Sequence, residues 1–380
     1  MSSAGATLSG SFSRATGATR NWGFQWGTSS SSLTNRVYSD GLSDGNSFTY
    51  NLEGLTPGTT YYYRAIIEEY DAATGNYVDR VSSDIKSFTT SAVQPQTGWQ
   101  AYLSDYGMPD VSGLGTSLRQ SGTNSDRDDK WYSVSTSDSK RQIAIHTYST
   151  GAPSNEETVN YVVLYDGSKY APVWTAHTMN TTYWPDKKVG RNEDWGSDPA
   201  ISLTQQTGLD NASSVGYSRG HLVASNYRQT TVKQNKQTFY YSNQAPQWQN
   251  SFNSGIWSTL EQKVADSTPS GTTMLYVVTG VLYEGSTKTL PSGSLNVPIP
   301  SHFYKCIMKC TFNDGTVSGA QGIAFVFTNE AHSGNYYDSG YVTSIDAIEE
   351  RAGFDFFAAV PSSLQASAES NTSHNWFTGK

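Results

Sequence analysis

The chain has 380 residues, which is too long for one typical domain and enough for two or three. Only 15% of them are charged, whereas 25 Tyr, 14 Phe and 10 Trp can bury large areas, so the composition excludes a disordered chain. The formal net charge of −8 argues against a generally basic nucleic-acid-binding surface. No run of 18 apolar residues occurs, which excludes a transmembrane helix.

Low charge together with many Tyr, Thr, Ser and Gly is typical of β-rich, exported proteins. The first residues, Met1 to Gly5, lack the basic start and apolar core of a signal peptide. The protein is therefore either cytosolic or has an export signal that is not in this chain. Because the composition is of the exported type, we expect a secreted, periplasmic or cell-surface protein. The two cysteines, Cys306 and Cys310, lie four residues apart in a predicted strand, about 13 Å from each other, too far for a disulfide.

Residues 1–91 consist of short alternating segments separated by turn residues, which predicts an all-β domain. Leu55, Pro57 and Tyr61 follow the Leu-x-Pro-x-x-x-Tyr pattern of the tyrosine corner. On these residues the region resembles a fibronectin type III sandwich, which implies a spacer or binding module. A polar linker is predicted over 92–97.

Residues 98–380 are predicted to form one large α+β domain. Helical spacing covers 252–266, and further helices are expected over 342–350 and 362–369. Alternating or continuous apolar runs predict strands, which are expected at 142–146, 161–165, 172–177, 238–242, 274–279, 302–311 and 322–327.

Three neighbouring segments, 216–222, 238–247 and 252–261, predict a strand, a second strand and a helix. Eight helical residues advance roughly 80° beyond two full turns, so Asn253 and Glu261 would lie on nearby helix faces. Residues 215–263 carry five basic side chains against Glu261 alone, so an acidic protein has one locally basic segment that could meet phosphate.

The residue types in these segments suit phosphodiester hydrolysis. A histidine with a near-neutral pKa can accept a proton from water, as His221 would. Mg²⁺ prefers oxygen ligands and keeps several waters, so the amide oxygen of Asn253 could suffice to hold it. An arginine such as Arg219 can fork onto phosphate oxygens.

These segments resemble the DNA/RNA non-specific endonuclease family, whose core is a ββα-metal (His-Me finger) motif. The family signature is Asp-Arg-Gly-His, and this chain has Ser218-Arg219-Gly220-His221. Ser218 therefore departs from the pattern, and the interval from Asn243 to Asn253 is slightly longer than usual. Further matching segments are Arg191–Trp195 with Asp198-Pro199, Val277–Gly280, Pro300–Lys305 and Ile348–Phe357.

The resemblance implies a central antiparallel or mixed sheet and a specific set of residue roles. His221 would be the general base, Asn253 the single protein ligand of Mg²⁺, and Glu261 the group that orients metal-bound water. Mn²⁺ or another divalent cation could replace Mg²⁺. Arg219 would contact the phosphate or the transition state, with Arg191 and Asn243 on the substrate side, Asn243 also supporting the finger near the histidine.

Each of these residues also has a purely structural interpretation. A lone histidine can be a core residue, Asn253 can cap a helix, and Glu261 can be a solvated carboxylate. Arg219 and Arg191 can each pair with a nearby acid, and Asn243 can be a turn residue. The remaining five histidines have no local ligand spacing and are read as structural or surface residues: His146, His177, His302, His332 and His374.

The expected activity is internal hydrolysis of DNA and RNA, directed at the backbone and leaving 5′-phosphate ends. Phosphate contacts carry no sequence information directly, which fits low sequence preference. Two alternatives stay open: a phosphodiesterase with a narrower nucleotide substrate, and a binding or adhesion protein with an inactive nuclease-like domain. The sequence indicates neither a partner for the N-terminal module nor an oligomeric state.

Overall fold

The computed structural model describes residues 6–12, 19–39, 47–52, 55, 59–82, 84–89, 99–150, 157–181, 189–203, 205–285, 288–313 and 315–379. The chain divides into two compact units, residues 1–96 and 97–380. The predicted linker over 92–97 lies outside the described residues. Within the described part of the chain, no helix is both long and apolar enough to cross a membrane.

The first unit is built of antiparallel strands, as its alternating sequence predicts. One sheet pairs β1 with β4, and the other has the order β3-β2-β5-β6, with β7 also pairing with β5. The strands are β1 (Ala6–Ser11), β2 (Thr19–Gly27), β3 (Asn35–Tyr38), β4 (Ser47–Leu52), β5 (Thr60–Asp71), β6 (Asn76–Val81) and β7 (Lys86–Thr89).

Apolar side chains from both sheets meet in one core, which includes Leu8 and Phe48 from the first sheet and Phe24 from the second. Tyr61 is buried and stacks on Phe88, with ring centroids 5.7 Å apart. Of the tyrosine-corner pattern, Leu55 is also buried, and Pro57 lies outside the described residues. A mostly-β N-terminal region is therefore confirmed.

The second unit centres on a nine-stranded antiparallel sheet of order β20-β19-β18-β15-β12-β11-β10-β9-β8. Its strands are β8 (Ser117–Asn124), β9 (Asp129–Ser135), β10 (Arg141–Tyr148), β11 (Thr158–Asp166), β12 (Ala171–Met179), β15 (Thr273–Leu282), β18 (His302–Asn313), β19 (Thr316–Thr328) and β20 (Val342–Thr343). Two hairpins stand outside the sheet: β13 (Tyr217–His221) with β14 (Gln244–Trp248), and β16 (Thr289–Ser292) with β17 (Leu295–Pro298). The helices are α1 (Trp99–Leu103), α2 (Val232–Gln237), α3 (Ser258–Asp266), α4 (Ile345–Ala352), α5 (Ser362–Glu369) and α6 (Asn375–Thr378).

Side chains alternate along each strand, so each strand contributes residues to both faces of the sheet. A hydrophobic core covers each face. In β18, Phe303 and Ile307 belong to the core that contains α3, whereas Cys306 and Cys310 belong to the core that contains α4 and α5. Both cysteines are buried and free. The alternation places Lys305 on the same face as Phe303, toward α3.

Two local predictions near the hairpin are wrong. The regular helix begins only at Ser258, because Ser251 has φ of 61° and Gly255 has non-helical dihedrals that break the segment Gln249–Trp257. The two-turn relation between Asn253 and Glu261 therefore does not hold. Residues 238–242 are not a strand; the second strand of the hairpin is β14.

Candidate active site

The hairpin of β13 and β14 carries the tetrapeptide Ser218-Arg219-Gly220-His221. Its antiparallel register sets Ser218 opposite Gln247 and His221 opposite Gln244. Alternation directs Arg219 and His221 to one face of the hairpin and Ser218 and Gly220 to the other. Gly220 is required by close packing, since a Cβ there would lie 2.5 Å from Gln247 Oε1.

His221 lies in an aromatic pocket and is only 8% exposed. Its ring centroid is 4.8 Å from that of Trp195 and 5.1 Å from that of Phe239. Burial, reinforced by the positive charge of Arg191, lowers its pKa to about 3, so the imidazole is neutral at neutral pH. Its Nε2 atom is buried and has no hydrogen-bond partner. The structure thus presents a neutral ring nitrogen without a protein partner.

Two guanidinium groups lie against the same aromatic pair. Arg219 lies 5.4 Å from the ring centroid of Trp195, and Arg191 lies 4.7 Å from that of Phe239. Arg219 donates to the carbonyl of Gly208 and, at 2.8 Å, to Asp210. Arg191 faces Glu193 at 3.7 Å, the surface pair that its sequence neighbourhood suggested, and half of its side chain is exposed.

Asn253 contacts the other face of the hairpin. Its Nδ2 donates to Ser218 Oγ and to Gln249 Oε1, each at 3.0 Å. Both amide hydrogens are therefore engaged, and no side chain or backbone group of the described residues donates a hydrogen bond to Oδ1. Among the described residues no hydrogen bond joins Asn253 to His221, which is three residues from Ser218, roughly 10 Å along the strand.

Glu261 lies on α3 with its Oε1 atom buried and without a hydrogen-bond partner. Burial raises the pKa of this carboxyl above its usual range, and the positive charges of Lys305 and Arg191 oppose the rise. Lys305 is fully buried, donates to Thr279 Oγ1 at 2.7 Å and lies 4.7 Å from the ring centroid of Trp257. Its own pKa is lowered by burial, against the charge of Glu261. Arg191 thus acts electrostatically on both His221 and Glu261.

Residues 139–363 match the family model described as DNA/RNA non-specific endonuclease, which is more than half of the chain. The chain belongs to the DNA/RNA non-specific endonuclease family. This membership agrees with the family resemblance of the tetrapeptide on β13 and of the segments around it.

Several nucleases of this kind are similar to the chain. A nuclease of Syncephalastrum racemosum is 28% identical over 217 residues, which cover 53% of this chain and 66% of that protein. The mitochondrial nuclease EXOG of Homo sapiens is 29% identical over 206 residues, 52% of this chain and 55% of that protein. The mitochondrial Nuclease 1 of Schizosaccharomyces pombe is 25% identical over 226 residues, 56% and 70% of the respective chains. The matched part therefore spans between about half and just over two thirds of these relatives.

A solved structure of an EndoG/EndoGI complex is 27% identical and covers 53% of this chain and 84% of that chain. Its TM-score is 0.45, a likeness too weak to inform the fold.

Asn243, predicted to lie on the substrate side, is fully buried beneath the hairpin. Its Oδ1 accepts from the backbone N–H of Val223 at 2.9 Å, and its Nδ2 donates to the carbonyls of Val223 and Thr238. Because these backbone groups occupy the amide, Asn243 supports the segment after His221, and its assignment as a substrate contact is not supported.

Sequence reasoning missed a buried charge network near the candidate site. His146 on β10 bonds to Asp129 through Nδ1 and to Asp198 through Nε2, each at 3.0 Å. Burial opposes a charge on this ring, but the carboxylates of Asp198 and Asp129 outweigh it and raise the pKa to about 10. Ser242 also donates to Asp198. The network ties the segment containing Trp195 to the central sheet.

The sequence indicated only in part that Trp195, Lys305 and Phe239 belong to the site. Trp195 and Lys305 lie in segments that resemble the family, but nothing in their spacing indicated that they contact the histidine pocket or face Glu261. Phe239 lies in the wrongly predicted strand. Its aromatic character was the only signal available.

The donor chemistry at Asn253 and Glu261 fits a hard divalent cation. Among the described residues, Asn253 makes side-chain hydrogen bonds through Nδ2, and the buried Oε1 of Glu261 has no partner. Amide and carboxylate oxygens are the ligand types that Mg²⁺ prefers, either directly or through water. Family membership implies such a metal, and these residues are compatible with one.

Proposed function

We propose that the chain is a Mg²⁺-dependent endonuclease that hydrolyses phosphodiester bonds in DNA and RNA and leaves 5′-phosphate ends. Family membership supports the reaction class. The observation that carries the proposal is His221: a neutral imidazole with an unpartnered Nε2, held between Trp195 and Phe239, with Arg219 and Arg191 against the same rings.

In the proposed reaction, His221 accepts a proton from the attacking water as the water oxygen bonds to phosphorus. The bond between phosphorus and the 3′ oxygen breaks, the 3′ oxygen takes a proton from water, and the phosphate stays on the 5′ end. The guanidinium groups of Arg219 and Arg191 donate to phosphate oxygens and stabilise the growing negative charge. The carboxylate of Glu261 accepts a hydrogen bond from a water molecule and orients it. Asn253 Oδ1 would hold the divalent cation, which when bound stabilises charge on the leaving oxygen.

Low sequence preference follows if recognition is directed at the backbone. Both arginines carry forked donors that match phosphate oxygens, and such contacts position a nucleic acid without reading its bases. Arg219 must release Asp210, which is exposed, before it can bind phosphate with its full set of donors.

For the rest of the chain we propose the organisation expected from the sequence. A fibronectin type III-like sandwich over 1–91, a linker over 92–97 and a nuclease domain with a ββα-metal core over 98–380 are supported by the antiparallel first unit and by β13, β14 and α3 of the second. The exported location is proposed from composition alone, and two of the similar proteins are named as mitochondrial.

The deciding experiment is cleavage of plasmid DNA and of RNA with Mg²⁺, with and without EDTA, by the wild type and by His221→Ala. The proposal predicts cleavage that EDTA and the substitution each abolish. His302→Ala is the matched control, because that imidazole contacts Glu284, lies outside the aromatic pocket and should leave cleavage unchanged.

The alternatives give different results in the same assay. Hydrolysis of a small phosphodiester without cleavage of plasmid, single-stranded DNA or RNA would support a narrower phosphodiesterase. Absence of any hydrolysis with either Mg²⁺ or Mn²⁺ would refute the enzyme and favour a binding protein.

A further inference from the structure

The hydroxyl of Ser218 lies between a backbone carbonyl and the amide of Asn253. Its hydrogen is donated to the carbonyl oxygen of Gln247 at 3.2 Å. A hydroxyl has one hydrogen, so toward Asn253 the oxygen of Ser218 can only accept. The Asn253 side chain must therefore present its NH₂ group to Ser218, as the 3.0 Å contact with Nδ2 shows.

A second acceptor completes the orientation of this amide. Gln249 Oε1 accepts the other hydrogen of Asn253 Nδ2 at 3.0 Å. With both hydrogens engaged, Oδ1 is fixed on the opposite side of the amide plane and keeps its two lone pairs available.

The backbone around Asn253 gives this clamp particular importance. Asn253 lies between Ser251, with φ of 61°, and Gly255, whose dihedrals are not helical. No regular helix holds the residue in place, so its side-chain hydrogen bonds are what define the direction of Oδ1.

We propose that Ser218 is a positioning residue that aims the Oδ1 atom of Asn253 at a divalent cation. The inference rests on the proposed function, since it presupposes that Asn253 holds the metal. In the family pattern the residue at this position is an aspartate; in this chain a serine supplies a hydrogen-bond acceptor without a negative charge.

Loss of the acceptor should weaken metal binding and leave the chemistry at saturating metal largely intact. In Ser218→Ala the amide keeps its bond to Gln249 but can turn, so we expect roughly two- to tenfold weaker binding, the range for losing one hydrogen bond. Ser218→Thr keeps the hydroxyl and should bind metal like the wild type. Ser218→Asp keeps an acceptor, adds a negative charge and should bind at least as tightly.

The test is titration of the full chain with Mn²⁺, followed by electron paramagnetic resonance of the free ion, which needs no turnover. Asn253→Ala is measured alongside, together with Ser214→Ala, an exposed serine that donates to the carbonyl of Asn211 and should bind metal normally. Circular dichroism and the melting temperature of each variant establish that it is folded.

The outcomes separate the two proposals. Weaker binding by Ser218→Ala with normal binding by Ser218→Thr supports the positioning role. Wild-type affinity in Ser218→Ala, while Asn253→Ala binds poorly, overturns the positioning role and leaves the proposed function standing. Wild-type affinity in Asn253→Ala refutes ligation by that residue, and the role of Ser218 falls with it.

Discussion

Replacement of Gly220 by alanine tests how closely β13 and β14, the two strands of the hairpin that carries His221, are packed. The new Cβ would lie 2.4 Å from Cβ, 2.5 Å from Oε1 and 3.0 Å from Cδ of Gln247. Gln247 is fully buried and its Cβ is fixed by its own backbone, so no change of rotamer removes the contact and the strands must separate. Overpacking of this kind costs about 1–3 kcal/mol. Because His221 follows Gly220 directly, cleavage should fall together with stability.

Differential scanning calorimetry of Gly220→Ala should show the melting temperature of the second unit lowered by several degrees, at roughly 2–4 °C per kcal/mol for domains approaching this size. Gly340→Ala is the matched control, because a Cβ there meets nothing within 4 Å. Gln247→Gly removes all three obstructing atoms, so adding Gly220→Ala to that variant should cost little further stability. A Gly220→Ala variant that melts like the wild type would refute the packing explanation, as would an equal loss of stability when Gly220→Ala is added to Gln247→Gly.

Three further predictions concern charge. Lys305→Met removes the buried positive charge that opposes the rise in the pKa of Glu261, so that pKa should rise further. The acidic limb of the profile of kcat/KM against pH should then move to higher pH. Lys309→Met is the control, and a Lys305→Met profile equal to that of the control would contradict the coupling. The folded-state pKa of His221, about 3, lies below the ordinary 6.5, so its contribution to stability is present above pH 6.5 and is lost as pH falls toward 3. Inactive His221→Phe should therefore show a shallower fall of melting temperature between pH 6.5 and 4 than the wild type, and an equally steep fall would refute burial of a neutral ring. With two arginine–phosphate contacts, a fourfold rise in salt concentration should weaken DNA binding roughly tenfold. Arg219→Gln should reduce this salt dependence in a filter-binding titration. DNA binding that does not change with salt would exclude backbone-directed recognition.

The sequence allowed good prediction wherever local pattern decides structure. Continuous or alternating apolar runs located six of the nine strands of the large sheet, and the tetrapeptide ending at His221 marked the first strand of the hairpin. The sequence pattern does not indicate β8 or β9, and it places the residues of β20 in the helix expected over 342–350. Prediction of secondary structure failed where side chains form hydrogen bonds with the nearby backbone. Thr238 donates to the carbonyl of Asn235 and extends the turns that follow α2, so the aromatic run after it does not become a strand. Gly255 likewise breaks a segment whose apolar spacing is helical.

The rest of the site depends on contacts between distant parts of the chain. Lys305 faces Glu261 only because β18 and α3 pack on the same side of the sheet. His146 meets Asp129 and Asp198 only because three separate segments converge beneath the hairpin. A single sequence contains no local signal for such contacts. Each of these residues could be noticed by itself, but the sequence does not show which of them contact one another.

The buried amide of Asn243 also makes the region after His221 a place where slow opening can be observed. The N–H of Val223 is donated to its side chain and the N–H of Leu222 to its main-chain carbonyl. Deuterium can replace each of these hydrogens only when its own hydrogen bond to Asn243 breaks and water reaches it, so the two exchange rates report how often the segment after His221 detaches from the chain beneath it. Exchange at these positions at the rate of global unfolding would mean that His221 rests on a rigid platform, whereas faster exchange would reveal a separate, local opening motion beside it.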